Sequence, residues 1–141
     1  MADTYQKILL VEDEAAIADM YANILRRNGF EVDCAYDGDT GLQTALSKPV
    51  DLILLDIMLP GKSGIDVLHT LRDPNASPQF DQSTVIFLLT NFDEDEETKK
   101  SLLKLAQAYL IKVNITPLTL ANLLKTTVKG AVPDIDSAAM A

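Results

Sequence analysis

Residues 7–14 read KILLVEDE, a run of four apolar residues that stops abruptly on three carboxylates. A short apolar run rich in branched side chains reads as a strand, and the charges that follow must emerge where the strand leaves the core. Three more runs read as strands, LILL (52–55), VIFLL (85–89) and YLIKV (109–113), and the unbroken apolar character of LILL and VIFLL suggests burial on both faces. EVDCA (31–35) instead alternates apolar and polar, as a strand at a sheet edge does.

Helical periodicity fills the intervals. Ile17, Met20, Tyr21, Ile24 and Leu25 follow i, i+3, i+4, i+7, i+8 spacing, with Arg26 and Arg27 in the last turn and Asn28-Gly29 as the stop. Leu42, Ala45 and Leu46 mark a shorter second helix that ends before Pro49. Ser63 with Asp66 resembles a capping box ahead of the stripe Ile65, Leu68 and Leu71. The acidic run 93–97, DEDEE, suits the positive end of a fourth helix continuing through Leu102, Leu103 and Leu105. Thr116-Pro117 opens a fifth, with Leu120, Leu123 and Leu124 on one side and Gly130 at its end. Five strands alternating with five helices specify an α/β, doubly wound parallel sheet of flavodoxin-like (βα)5 type, with strand order 2-1-3-4-5.

One domain, residues 6–130, accounts for this pattern, and residues 131–141 are expected to form a flexible tail. The chain has 141 residues, 48% of them hydrophobic, enough for a single core. A net charge of −9 disfavours direct nucleic acid binding and favours cations and basic partner surfaces. A single cysteine, Cys34, reads as a small buried hydrophobe, and no run of apolar residues is long enough to span a membrane. The expected setting is a reducing cytoplasm, without membrane insertion.

In such a sheet ligands bind outside the carboxyl ends of the strands. The residues delivered there are Glu12 and Asp13 after strand one, Asp56 after strand three, Thr90 and Asn91 after strand four, and Lys112 at the end of strand five. Clustered carboxylates raise one another's pKa unless a cation offsets them, and oxygen donors without a Cys or His cluster suit a hard ion such as Mg²⁺. An ammonium and a hydroxyl on the same rim can hold a phosphoryl group, and Asp56 is placed to act as nucleophile. The loop DPNASPQFDQS (73–83) leads from a helix into a strand, so it belongs at the opposite end and is expected to be tolerated rather than catalytic.

VEDE (11–14), DIMLPGKSG (56–64), Thr90, Tyr109 and Lys112, in this order across residues 6–130, resemble the receiver domains of two-component response regulators. The resemblance implies that Asp56 is the phosphoacceptor. It implies Mg²⁺ held by Asp13, Asp56 and the backbone carbonyl of Met58, with Glu12 acting largely through metal-bound water. Thr90 and Lys112 would hold the phosphoryl group, and Thr90 and Tyr109 would form the switch. A histidine kinase or phosphotransfer protein would be the donor. The face of helix four, strand five and helix five would meet a downstream protein, and a phosphorylation-dependent homodimer is among the expected assemblies. Catalysis would be limited to the domain's own phosphorylation and dephosphorylation, in a stand-alone or excised receiver.

The chain departs from the family pattern at Val113, where a cis proline is usual, at Asn91, where Ala or Gly is usual, and at residues 105–108, LAQA, where a glycine turn is common. Met58 and Phe92 flank the position of a hydrolysing water, and neither orients water strongly, which implies a long-lived phosphoryl state. A pseudo-receiver serving as a constitutive interaction module is the alternative reading. A Mg²⁺-dependent phosphohydrolase is a third, weakened because Met58 stands where its acid/base aspartate is expected.

Overall fold

Alternate residues of each central strand face opposite sides of one sheet, so each strand feeds two cores. Ile8, Leu10, Leu52, Leu54, Phe87 and Leu89 join the first apolar cluster, while Leu9, Val11, Ile53, Leu55, Ile86 and Leu88 join the second. The computed structural model describes residues 4–91 and 93–126.

The elements run β1 (Lys7–Val11), α1 (Ala15–Arg27), β2 (Glu31–Ala35), α2 (Gly38–Ser47), β3 (Leu52–Leu55), α3 (Gly64–Arg72), β4 (Val85–Thr90), α4 (Glu96–Leu102), β5 (Ala108–Ile111) and α5 (Pro117–Thr126), with a 3-10 turn at Lys112–Asn114. The strands are parallel in order β2-β1-β3-β4-β5, the expected flavodoxin-like winding. Helices α1 and α5 cover one face through Ala18, Tyr21, Leu25, Leu120 and Leu124. Helices α2, α3 and α4 cover the other through Ala45, Val67, Leu68, Leu71 and Leu102. Each fully buried leucine contributes about 1.5–3 kcal/mol by leaving water, and the twelve largest fully buried side chains include Leu9, Leu54 and Phe87.

Caps fix where the helices begin. The Ser63 hydroxyl accepts the Asp66 backbone N–H at 3.2 Å, as the capping pattern implied. Asp95 accepts from Thr98 N–H at 2.8 Å, so α4 begins at Glu96, inside the acidic run rather than at its start, and it closes at Leu102, with Leu103 at its C-cap. Asp37 accepts from Thr40 N–H at 2.7 Å, and α2 therefore starts four residues ahead of Leu42, at Gly38. Strand β5 is displaced by one residue at its start and ends at Ile111, leaving Lys112 and the exposed Val113 in the 3-10 turn. In α1 the buried stripe passes through Ala18, Tyr21, Ala22 and Leu25, and Met20 is exposed. Cys34 is half-buried rather than buried, and His69 is exposed. The expected end of the fifth helix at Gly130, the tail 131–141 and Phe92 lie outside the described residues.

The amino ends of the strands are closed by two polar clamps. Asp51 accepts the N–H groups of Gln6 and Lys7, both at 2.9 Å, joining β3 to β1. Arg72, at the end of α3, donates to the carbonyls of Leu105 (2.8 Å), Gln82 (3.2 Å) and Thr84 (2.8 Å), and to Gln107 Oε1 (3.3 Å). The Gln107 side chain also accepts from Ile86 N–H at 2.8 Å, while its own backbone N–H donates to the Ile86 carbonyl at 2.8 Å. The glutamine thereby ties the turn before β5 to β4 and to the end of α3. The 73–83 loop lies at this end, as its connection required. It is packed, with Ser77 and Phe80 buried and Ser77 Oγ donating to the Thr70 carbonyl at 2.7 Å.

Candidate functional site

Register brings the acidic residues together. Val11 pairs with Leu55 across β1 and β3, so the next residues on each strand, Glu12 and Asp56, leave the sheet side by side. Their backbones are still tied there, with Asp56 N–H donating to Val11 O at 3.1 Å and Glu12 N–H to Ala35 O at 3.0 Å. Thr90 pairs with Ile111 across β4 and β5, which sets Lys112 beyond the edge of the same ladder. Glycine at position 64 lets α3 begin against this loop, because a Cβ there would collide with the Asp56 carbonyl oxygen.

The side chains converge as expected for Glu12, Asp13, Asp56 and Lys112. Ligand oxygens of the three carboxylates lie within 4.8 Å of one another. Glu12 and Asp56 are buried, and Asp13 is exposed. Lys112 Nζ donates to Asp56 Oδ2 at 2.9 Å and also to Glu12 Oε1. Asp56 Oδ1 accepts the Met58 N–H at 3.2 Å, and Glu12 Oε2 accepts the Glu14 N–H at 3.0 Å.

Burial pushes the Glu12 carboxyl above its ordinary value, and the bonds from Lys112 and Glu14 pull it back only in part. For Lys112 burial is the largest influence and opposes the charge, but the bonds to Glu12 and Asp56 together with their charges prevail, and its pKa is raised. Three carboxylates against one ammonium leave an excess of two negative charges in an oxygen-only pocket. That excess and that donor set fit a divalent hard cation.

Thr90 is fully buried at the end of β4. Tyr109, within β5, is half-buried against the second core, and burial raises its phenol. Its hydroxyl accepts the Glu94 backbone N–H at 3.2 Å, linking β5 to the loop that follows Thr90. Met58 and Asn91 are exposed at the rim, and Asn91, Lys112 and Val113 line a groove of about 650 Å³ beside α1. The described peptide bonds are all trans, including the one between Lys112 and Val113, so Lys112 reaches the carboxylates without a cis bond after it.

Four residues of structural weight were not singled out by sequence patterns: Asp37, Asp51, Arg72 and Gln107. An aspartate three residues before a threonine signalled the cap at Asp37. The others act through partners distant in sequence, and a single chain carries no local sign of them.

A doubly wound sheet with buried carboxylates and a lysine at its carboxyl rim defines a receiver-type signalling domain. The family model described as "Response regulator receiver domain" matches residues 8–125, and the chain belongs to that family. It is 43% identical over 82 residues to the transcriptional regulatory protein DltR of Streptococcus agalactiae, an alignment covering 58% of this chain and 34% of DltR. The chain thus matches about a third of the length of that relative. Among solved structures, a CheY-like receiver domain protein from Methanospirillum hungatei is 27% identical with a TM-score of 0.71, covering 96% of this chain and 97% of that one. The response regulator TrrA from Thermotoga maritima, solved in complex with Mg²⁺-BeF, is 30% identical with a TM-score of 0.64, covering 76% of this chain and 86% of that one. Among the described residues no helix is long and apolar enough to cross a membrane.

Proposed function

We propose that this domain is a phosphorylation-activated switch that accepts a phosphoryl group on Asp56 from a histidine kinase or phosphotransfer protein in a Mg²⁺-dependent reaction. The observation that carries this reading is the Lys112 ammonium bonded to both Glu12 and Asp56 inside a carboxylate cluster. TrrA in complex with Mg²⁺-BeF supports it by likeness.

In this reading Asp13, Asp56 and the Met58 carbonyl would hold the metal, with Glu12 assisting. A bound cation would supply charge neutralisation on the oxygens of the transferring group. Asp56 is the nucleophile: a carboxylate oxygen forms the bond to phosphorus as the bond from phosphorus to the donor breaks, and the leaving group takes the electron pair. Its Oδ1 is oriented by the Met58 N–H, so the carboxylate is aimed before the donor arrives. Lys112 holds negative charge on the transferring group, and Thr90 offers a hydroxyl donor from the end of β4. Contacts made by Thr90 and Lys112 to the phosphoryl group exist in one state only, and that difference shifts the population of the loop carrying Glu94 and of Tyr109. The face built from α4, β5 and α5 then presents the change to a downstream protein. Met58 offers no strong hydrogen bond to a hydrolysing water, so the phosphorylated state is long-lived.

The test is incubation with acetyl phosphate and Mg²⁺, followed by intact-mass measurement. A phosphoryl adduct is expected on the wild type, lost with a chelator and lost in Asp56→Ala. An adduct that persists in Asp56→Ala, or none on the wild type, overturns the assignment.

A further inference from the structure

Tyr109 is gripped from α4 as well as from its hydroxyl. Lys99 Nζ lies over the Tyr109 ring, 5.5 Å from its centroid, and is ion-paired with Asp93 in the loop between β4 and α4. Its side chain is only 22% exposed, so the ammonium is held close to the protein surface rather than extended into water. The Tyr109 hydroxyl bonds Glu94 N–H, in the residue after Asp93. Loop, helix and ring therefore form a closed circuit: Asp93 holds Lys99, Lys99 covers the ring, and the ring returns to the loop at Glu94. The charges around the circuit are those of Asp93, Glu94 and Glu96, with Lys99 as the cation at its centre; hydrogen bonding to Asp93 is the main influence raising the Lys99 pKa.

We propose that Lys99 is a positioning residue for the switch, clamping the face of Tyr109 with Asp93 as counter-ion and so holding the phenol on the Glu94 amide. A cation over an aromatic face favours the covered arrangement by about two- to fivefold. Removing the cation frees the ring to leave Glu94, and frees the loop that follows Thr90 from β5. The role in switching rests on the phosphorylation reading above, whereas the clamp itself does not.

Amide hydrogen exchange at Glu94, followed by NMR on the protein without phosphodonor, tests the clamp directly. Lys99→Met keeps an unbranched stem and removes the charge, Lys99→Arg restores a cation, and Tyr109→Phe gives the rate with the acceptor gone. Faster exchange in Lys99→Met, by about two- to fivefold, is expected, with Lys99→Arg near the wild type and Tyr109→Phe the fastest. Loss of a positive charge by itself lowers the local hydroxide concentration and slows exchange, so an acceleration runs against the direct electrostatic effect. Protection of the β1 and β3 amides, unchanged in all variants, verifies the fold. Unaltered or slower Glu94 exchange in Lys99→Met, or failure of Lys99→Arg to restore it, overturns the proposal. A second measurement, the midpoint of a beryllofluoride titration with Mg²⁺, is expected to move by a similar factor in Lys99→Met. A wild type that does not respond to beryllofluoride at all would instead count against the phosphorylation reading and leave the exchange result standing.

Discussion

At the carboxyl rim Lys112 is bonded to two buried carboxylates within a cluster of three, whereas at the amino rim Arg72 is bonded to four neutral oxygens. Both cations are partly buried and both join elements far apart in sequence. Their surroundings differ in what is left over. Around Arg72 the oxygens are backbone and amide groups that the guanidinium ties down, and burial alone lowers its pKa without threatening its charge. Around Lys112 the acids outnumber the base, so an attraction for cations remains after every bond is counted. One rim spends its polar groups on closure, and the other keeps an unbalanced charge for chemistry.

Removing the two cations separates these roles. Lys112→Met leaves Glu12 and Asp56 buried without their counter-charge, and a loss of about 3 kcal/mol in urea unfolding is expected, in part recovered by Mg²⁺. Arg72→Met is expected to cost about 2 kcal/mol, because Leu105 and Thr84 carbonyls lose a charged donor, and Mg²⁺ should not change that cost. Equal responses of the two variants to Mg²⁺ would break the comparison. The smallest effect distinguishes carboxylates within the active rim. Asp37 and Asp95 are exposed caps whose pKa values are lowered from 3.8, first by the N–H bonds of Thr40 and Thr98, in contrast to the raised Glu12. A folded-state pKa below the unfolded one contributes stability that is present above the unfolded value and is lost as pH falls through the folded value. NMR titration should therefore place both caps below pH 3.8, with the loss of their contribution confined to the acid side of it. A midpoint at or above that value for either would show that its capping bond does not survive in solution.

The strands and their order were legible because a buried parallel sheet writes itself as short apolar runs separated by helical periods. The acids and the lysine were legible because each stands just beyond such a run. What escaped was set by side chains acting across the fold. The end of β5 reads as strand through Val113, yet Lys112 turns toward Glu12 and Asp56, and the backbone leaves the ladder at Ile111. Helix α4 reads as longer because its leucines continue, but Asp95 and Leu103 set its ends. Arg72 reads as an ordinary last-turn cation, and only the packed fold shows that it joins α3 to the entries of β4 and β5.

The two aspartates that flank LILL have a consequence for alignment. Strand β3 is apolar on both faces, and sliding it by one residue would exchange one set of buried leucines and isoleucine for another at little hydrophobic cost. Its interior therefore carries almost no information about where it should stop. Asp51 seats one end on the Gln6 and Lys7 amides, and Asp56 meets Lys112 at the other. A slipped strand would pull both out of their seats at once. The charges that serve the site thus also act as the notches of a key, giving an otherwise featureless strand a single position in which it turns.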